Sequence, residues 1–327
     1  FDILKSFHQQ IDESFNLVNS SDLIDTHKYE SIIFCGMGGS SIGASFIQSN
    51  IFSDLLIPSF VNNGYDLPNW VNDKTLVVII SYSGDTEETI CNYNEAVNKN
   101  IKPWIISSGG YLLNQAVIKK YLHVILPHNF PPRTAFGFIS SVLILLLAKN
   151  KFINNSYIIN LKNSINLISS LSHKYCSNEN NDAVDLAKFI FKKNIIIYSS
   201  PLTKVLGYRF KSQLSENSKI LSYYHYLPEL NHNDVEGYVN LNMSLDDYSI
   251  IWLLDYEDDI RIKNKVDSIS TVMSELKNQK ILNFKGDSLL ERQYHLLYFL
   301  DLVSFYLAIL YKTDPTPVDK IKKIKSV

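Results

Sequence analysis

An apolar run of strand length at residues 31–35 (SIIFC) leads straight into Gly36-Met37-Gly38-Gly39-Ser40-Ser41-Ile42-Gly43, and the following residues (ASFIQSN) read as helix. Glycine is otherwise scarce: 12 in 327 residues is roughly half the usual share of about 7%. Four glycines within eight positions therefore mark a place where the backbone must turn tightly or approach something closely. A turn between a strand and a helix start presents unpaired N–H groups and the positive end of a helix dipole, which suits a phosphate or a carboxylate. The nucleotide fingerprints fit poorly. A dinucleotide GxGxxG needs glycine at position 41, which is Ser41, and no Gly-Lys-Ser/Thr follows.

The rest of the chain supplies the setting. Residues 75–80 (TLVVII), 104–107 (WIIS) and 122–126 (LHVIL) are also apolar without alternation, and residues 86–98 and 135–149 between them have helical length. Such a pattern predicts an α/β fold whose parallel sheet is covered on both faces. A second series repeats it, with strands at 194–198, 248–254 and 281–284. Helices are expected at 201–216, 256–279 and 288–311, with a short last one from Pro317. A helix over 157–171 and a polar break over 172–182 join the halves, so we expect two domains, 1–152 and 153–327.

Composition excludes several classes. With 31 Lys+Arg against 33 Asp+Glu the chain lacks the basic footprint of a nucleic-acid binder. Cys35, Cys91 and Cys176 form neither a disulfide framework nor a zinc cluster, which fits a reducing cytoplasmic setting. Residues 1–15 read as an amphipathic helix without the apolar core of a signal peptide. The one membrane-like stretch, 294–311, is interrupted by His295, Asp301 and Ser304; an Asp near mid-span costs about 3 kcal/mol, so the stretch reads as a buried helix and no membrane partner is expected.

The strand at 75–80 also ends at a hydroxyl-rich turn, Ser81-Tyr82-Ser83-Gly84-Asp85-Thr86-Glu87-Glu88-Thr89. In a parallel sheet both turns lie at strand C-terminal ends, where ligands bind. Ser40, Ser81, Ser83 and Thr86 are thus candidates to hold one phosphate, and hydroxyls with amides and no lysine suit a sugar phosphate. Residues 83–87 read equally as a helix N-cap with first-turn acids.

Three later segments carry groups for chemistry. Pro131-Pro132-Arg133-Thr134-Ala135 sets an arginine ahead of a helix, and its planar fork matches an oxyanion. Glu216 closes the helix that ends in ENSK, and Glu229-Leu230-Asn231-His232-Asn233-Asp234 holds a histidine. Carboxylate and imidazole are the usual pair for proton transfer near neutral pH. Read singly, Glu216 is equally an ordinary helix charge and His232 a loop histidine. No second histidine stands at ligand spacing from His232, so no metal site and no cofactor are expected.

The pair GMGGSS and SYSGDTEET resembles the sugar isomerase (SIS) domain. PPRTA, QLSENSK, PELNHNDVEG and the C-terminal DPTPVDKIKK together resemble the bifunctional phosphoglucose/phosphomannose isomerase family, from about residue 30 to the end. The resemblance implies two SIS-type domains, each a flavodoxin-like doubly wound parallel sheet flanked by helices, five-stranded in the family fold. It implies an aldose-ketose isomerase interconverting glucose 6-phosphate, and mannose 6-phosphate, with fructose 6-phosphate through a cis-enediol and without a metal.

Carried over residue by residue, the base falls on Glu216, and the ring-opening histidine, contributed by the partner of a homodimer, on His232. The arginine that stabilises the enediol falls on Arg133. Phosphate contacts fall on Gly39, Ser40, Ser81, Ser83 and Thr86. The small residue that admits mannose falls on Thr316, and a lysine seven residues on, two turns along a helical face, is Lys323, with Lys320 and Lys322 close by. One departure from the pattern is Asp85 where the family has Asn; an acid there repels phosphate unless it points away or caps the next helix. A non-catalytic phosphosugar sensor would keep the turns but have no reason to hold Glu216, His232 and Arg133. An SIS isomerase of another sugar phosphate is the other rival, and Thr316 speaks against it.

Overall fold

Strands that are apolar along their whole length bury both faces, and the first sheet is built from them. In the computed structural model, which describes residues 1–18, 26, 28–177, 181–238 and 244–325, β1 (Ser31–Gly36) and β3 (Thr75–Ile80) lie side by side with every residue of β3 buried. With β2 (Ser59–Asn62), β4 (Trp104–Ser107) and β5 (His123–Ile125) they form a fully parallel sheet in the order β2-β1-β3-β4-β5. This is the flavodoxin-like order, whose switch point lies between β1 and β3. Helices α1 (Asp2–Lys5), α2 (Phe7–Val18), α3 (Gly39–Ile51), α4 (Glu87–Asn98), α5 (Gly110–Lys119) and α6 (Phe136–Lys149) accompany it. Tyr93 and Ala96 of α4 and Leu112 and Ala116 of α5 close over Ile33, Cys35, Val77 and Ile79 in one core. Cys35 is part of that core, and burial pushes its thiol pKa far above the usual range, so it packs and does not react.

The chain divides into two compact units, residues 2–166 and residues 167–327 with Phe1, and the division falls within α7 (Ser156–Tyr175). The second unit repeats the plan with four parallel strands, β6 (Asn194–Ser199), β7 (Tyr223–Tyr226), β8 (Tyr248–Leu253) and β9 (Gln279–Leu282), in the order β7-β6-β8-β9. Its helices are α8 (Asp182–Ile190), α9 (Lys204–Glu216), α10 (Ile260–Val272), α11 (Leu289–Leu310) and α12 (Asp319–Lys325).

Four differences from the sequence reading have physical causes. β2 and β7 were not expected; each is an edge strand, partly exposed, so neither needs a continuous apolar run. The helix expected over 256–279 spans only α10, and β9 begins two residues early because its register is set by pairing with β8. The polar break begins later than residue 172, since α7 continues to Tyr175; positions 178–180 of that break lie outside the described residues.

α11 is the one helix among the described residues long and apolar enough to cross a membrane, and 78% of its most apolar window is buried within the unit. Two of its charges, Arg292 and Asp301, are locked in pairs. Arg209 of α9 forks onto Asp301 at 3.1 and 2.6 Å, and Arg292 forks onto Asp255 at 2.8 and 2.9 Å. His295 is equally buried, held between the Tyr175 hydroxyl at 2.9 Å and the Lys285 carbonyl at 3.1 Å. Burial, opposed by the bond to Lys285, pushes its pKa down to about 4, well below the ordinary histidine range.

A histidine held neutral in the fold but free to charge when unfolded makes the unfolded chain bind more protons as pH falls. It therefore withdraws about 3 kcal/mol of stability between about pH 6.5 and pH 4, and little more below that. We expect His295→Gln, which keeps hydrogen-bonding atoms but does not titrate, to flatten the fall of the urea midpoint across this window. Parallel slopes for the two proteins would show that His295 does not titrate this way.

Candidate active site

β1 delivers the chain into the first turn, and the turn needs its glycine. Gly38 stands at φ +51°, a conformation side chains rarely adopt. α3 then begins at Gly39, with Ser40 N donating to the Met37 carbonyl at 3.1 Å and Ile42 N to that of Gly38 at 3.0 Å. The amides of Gly38 and Gly39 have no partner among the described residues, which leaves two donors at the mouth of the helix. Gly43 has a different purpose: a Cβ there would lie 2.7 Å from Ile139 Cγ2 of α6, so its small size lets two helices pack.

β3 delivers the second turn beside it. Ser81 Oγ donates to Thr86 Oγ1 at 3.0 Å, Ser83 Oγ lies 3.5 Å from the same atom, and Gly84 N donates back to Ser81 Oγ at 3.1 Å. Three hydroxyls thus meet at the head of α4. Gly84 lies at φ +78°, and a Cβ there would fall 1.8 Å from the Gly109 carbonyl oxygen, so the turns after β3 and β4 touch only because residue 84 has no side chain. Asp85 points away: its Oδ1 accepts Tyr111 N at 2.7 Å and so caps α5, not α4, the helix that follows it in sequence. That removes the objection to an acid in this turn.

Arg133 lies in a single 3-10 turn, Pro132–Thr134, and is buried. The turn rests against the glycine loop, since a Cβ on Gly39 would lie 3.4 Å from the Pro132 oxygen and 3.6 Å from Arg133 Cα. Two side chains not anticipated from sequence hold it. Gln10 of α2 donates to the Thr134 carbonyl at 2.9 Å. Tyr82 donates to the Pro127 carbonyl at 2.7 Å and accepts Phe130 N at 3.0 Å, pinning the approach. Gly39, Ser40, Ser81, Ser83, Thr86 and Arg133 are therefore all on the strand-end side of the first unit, where the hydroxyls of Ser81, Ser83 and Thr86 meet and the Arg133 turn packs against Gly39.

In the second unit Glu216 ends α9, half-buried. A helix C-terminus favours cations, so an acid in the last turn is placed against the helix dipole. The helix end is clamped to α11: Asn217 Nδ2 donates to Ser304 Oγ at 2.9 Å and Ser218 Oγ to the Ser304 carbonyl at 2.7 Å. Lys219 Nζ donates to the Glu216 carbonyl and, at 2.7 Å, to the Pro317 carbonyl. Glu216 and the loop holding Thr316 are thereby brought together. Thr316 is exposed in a turn closed by its own N–H to Asp314 Oδ1 at 2.8 Å, ahead of α12. It is therefore not on a helix with Lys323, which is exposed within α12, and the two-turn argument for pairing them does not apply.

His232 stands elsewhere on this unit, exposed at the end of a 3-10 turn (Glu229–His232), with no hydrogen bond among the described residues. It edges a cavity of about 490 Å³ shared with Asn233, Glu236, Lys265 and Ser268. A second cavity, of about 470 Å³, is lined by Tyr198, Tyr223, Tyr238 and Tyr248 and holds none of the expected site residues; its Asp234 is engaged by Tyr223 at 3.0 Å.

The strand ends of the second unit are built differently from those of the first. After β6, Thr203 Oγ1 donates inward to the Leu253 carbonyl at 2.6 Å. After β8 come Asp255, Glu257, Asp258 and Asp259, with Asp258 Oδ2 accepting Asp255 N at 2.6 Å and Arg292 joining Asp255 to Glu257. Burial raises the Asp258 carboxyl pKa.

Comparison with known proteins places these features in context. Residues 179–327 match the family described as the bacterial phospho-glucose isomerase C-terminal SIS domain. The chain is similar to the bifunctional phosphoglucose/phosphomannose isomerase of Aquifex aeolicus, 34% identical over 328 residues, 98% of each chain. It is also similar to that of Caldicellulosiruptor bescii, 33% identical over 335 residues, 100% of this chain and 98% of the relative. In fold it resembles the C-terminal domain of glucosamine-fructose-6-phosphate aminotransferase from Francisella tularensis, with a TM-score of 0.77 at 16% identity over 95% of this chain and 96% of that one.

Proposed function

The chain belongs to the bifunctional phosphoglucose/phosphomannose isomerase family, and from that premise we propose how its residues divide the work of an aldose-ketose isomerase acting on glucose 6-phosphate and mannose 6-phosphate. Two SIS-type domains, 1–152 and 153–327, share it. The amides and hydroxyls of Gly39, Ser40, Ser81, Ser83 and Thr86 hold the phosphate. His232, with Lys323, opens the ring by moving a proton from the C1 hydroxyl to the ring oxygen.

Glu216 then takes the proton from C2. The electron pair released forms the C1–C2 double bond, and negative charge collects on the former C1 carbonyl oxygen beside Arg133. Returning the proton to C1 while the O2 hydroxyl proton passes to O1 gives the ketose. Thr316 leaves room for either configuration at C2. Arg133 supplies the positive charge that a Lewis acid would otherwise provide, so we propose a metal-independent reaction. The observation that carries this reading is the packing of the Arg133 turn against the glycine loop, where an ideal Cβ on Gly39 would lie 3.6 Å from Arg133 Cα.

Exposed and without a hydrogen-bond partner among the described residues, His232 suits service in a second copy's site. We propose a homodimer with His232 exchanged across the interface, in the cytoplasm, where free cysteines and a phosphorylated sugar both belong. The test is to follow fructose 6-phosphate formation from each hexose phosphate, with and without chelator. The same assay is then run on inactive Glu216→Gln and His232→Ala proteins before and after they are mixed and allowed to exchange chains. Exchange in a twofold dimer should restore about one quarter of wild-type activity, because mixed dimers rebuild one intact site. No recovery despite mixed dimers would place His232 in its own chain's site. Inactivity of the wild type on both sugars would overturn the reading.

A further inference from the structure

We propose that Lys219 is a positioning residue that couples the proton-transfer end of α9 to the Thr316 loop, and so sets both turnover and the preference between C2 epimers. The inference rests on the roles proposed for Glu216 and Thr316. Its basis is one ammonium on two carbonyls: Lys219 Nζ donates to the Glu216 oxygen and, at 2.7 Å, to the oxygen of Pro317, 98 residues further along the chain.

These contacts close a ring of supports. α9 is clamped to α11 through Asn217, Ser218 and Ser304, and α11 runs on through Thr313, whose N–H donates to the Ala308 carbonyl at 2.9 Å, into the turn that carries Thr316. Lys219 thus ties the far side of that turn to the end of α9. A lysine suits the position, since its head group donates several hydrogen bonds and its charge sits at the negative end of the helix.

The backbone at this residue argues the same way. Lys219 lies at φ +59°, where glycine is at ease and a side chain is not. Lys120, Lys151, Lys192 and Lys312 share that conformation, so a left-handed lysine alone says nothing. Among the described residues Lys219 is the one of these whose ammonium joins its own helix end to a segment 98 residues away. Stability alone would favour glycine at 219, and the side chain that is present touches the two segments on which chemistry and epimer choice are proposed to depend.

The experiment exploits this opposition. Lys219→Gly relieves the backbone and removes the tether, so its thermal midpoint should equal or exceed that of the wild type while kcat falls about tenfold with KM changed less than about twofold. The ratio of kcat/KM for glucose 6-phosphate to that for mannose 6-phosphate should shift at least about threefold. Lys219→Met, which keeps the stem, should show the same kinetic loss, and Lys219→Arg should recover part of it. Wild-type kcat and an unchanged epimer ratio in Lys219→Gly would overturn the proposal, as would a fall in thermal midpoint with no kinetic change. Glu216→Gln assayed beside them separates the premise: if that protein keeps wild-type turnover, the base lies elsewhere, whatever Lys219 does.

Discussion

Replacing Glu216 with Gln is expected to lower kcat on both hexose phosphates by about 10³-fold while leaving KM within a factor of about two. The amide has the shape of the carboxylate, keeps the helix end and the clamp to Ser304, and cannot accept the C2 proton. The phosphate seat proposed above lies in the first unit's turns, where Glu216 has no part, so affinity is expected to survive. Deuterium at C2 of the substrate sharpens the result: the wild type should lose label to solvent during turnover, and the variant should retain it. A variant with wild-type rate and wild-type exchange would move the base to another group. A variant losing affinity and turnover together would instead mean that the side chain holds up the site.

Asp301→Leu is expected to destabilise the second unit by about 3–5 kcal/mol, because it removes the carboxylate onto which the buried Arg209 guanidinium forks. Both side chains are nearly inaccessible, 3% and 5% exposed, and Gln213 Nε2 also donates to Asp301, at 3.1 Å. The measurement is a shift in the urea or thermal midpoint. The double variant Arg209→Met/Asp301→Leu should recover most of the loss, since a buried pair replaced by apolar groups of similar volume is often nearly neutral. Equal destabilisation in the single and double variants would show that packing volume, not an orphaned charge, is what matters. The pair also bears on chemistry: Arg209, Gln213 and Asn217 recur every four residues on one face of α9 and meet Asp301 and Ser304, so the face that fixes the helix also fixes where Glu216 ends.

How far the molecule was legible in its sequence follows from where each element is buried. β3 shows as a run of five apolar residues after Thr75 because the sheet covers it on both sides, whereas β2 and β7 take partners on one side only and their sequences, SFVN and YYHY, carry no such run. The paired location of these two edge strands, each after the helix that follows its unit's first strand, follows from the doubly wound plan and is better anticipated from topology than from residue type. The glycine cluster pointed correctly to a strand-to-helix turn, yet pooled two causes: Gly38 turns the chain, and Gly43 admits α6. Asp85 appeared as an obstacle because local sequence cannot show a helix 25 residues away waiting for a cap. Lys219 and Asn217 stood within the ENSK segment, but a lysine beside a glutamate reads as a surface charge until the Pro317 carbonyl is seen in front of it.

The second unit's strand ends have one more consequence. In the first unit the turns after the two central strands hold hydroxyls and unpartnered amides; in the second the corresponding hydroxyl of Thr203 faces inward and the neighbouring turn carries four carboxylates, two of them tied to Arg292. Such a surface repels a phosphate dianion. On the roles proposed for Gly39, Ser40, Ser81, Ser83 and Thr86, the doubled architecture carries one anion seat, and titration with a sugar phosphate is expected to saturate at one per chain. In the second copy of the fold the strand ends are fastened by ion pairs, and the proposed base stands at a helix end instead.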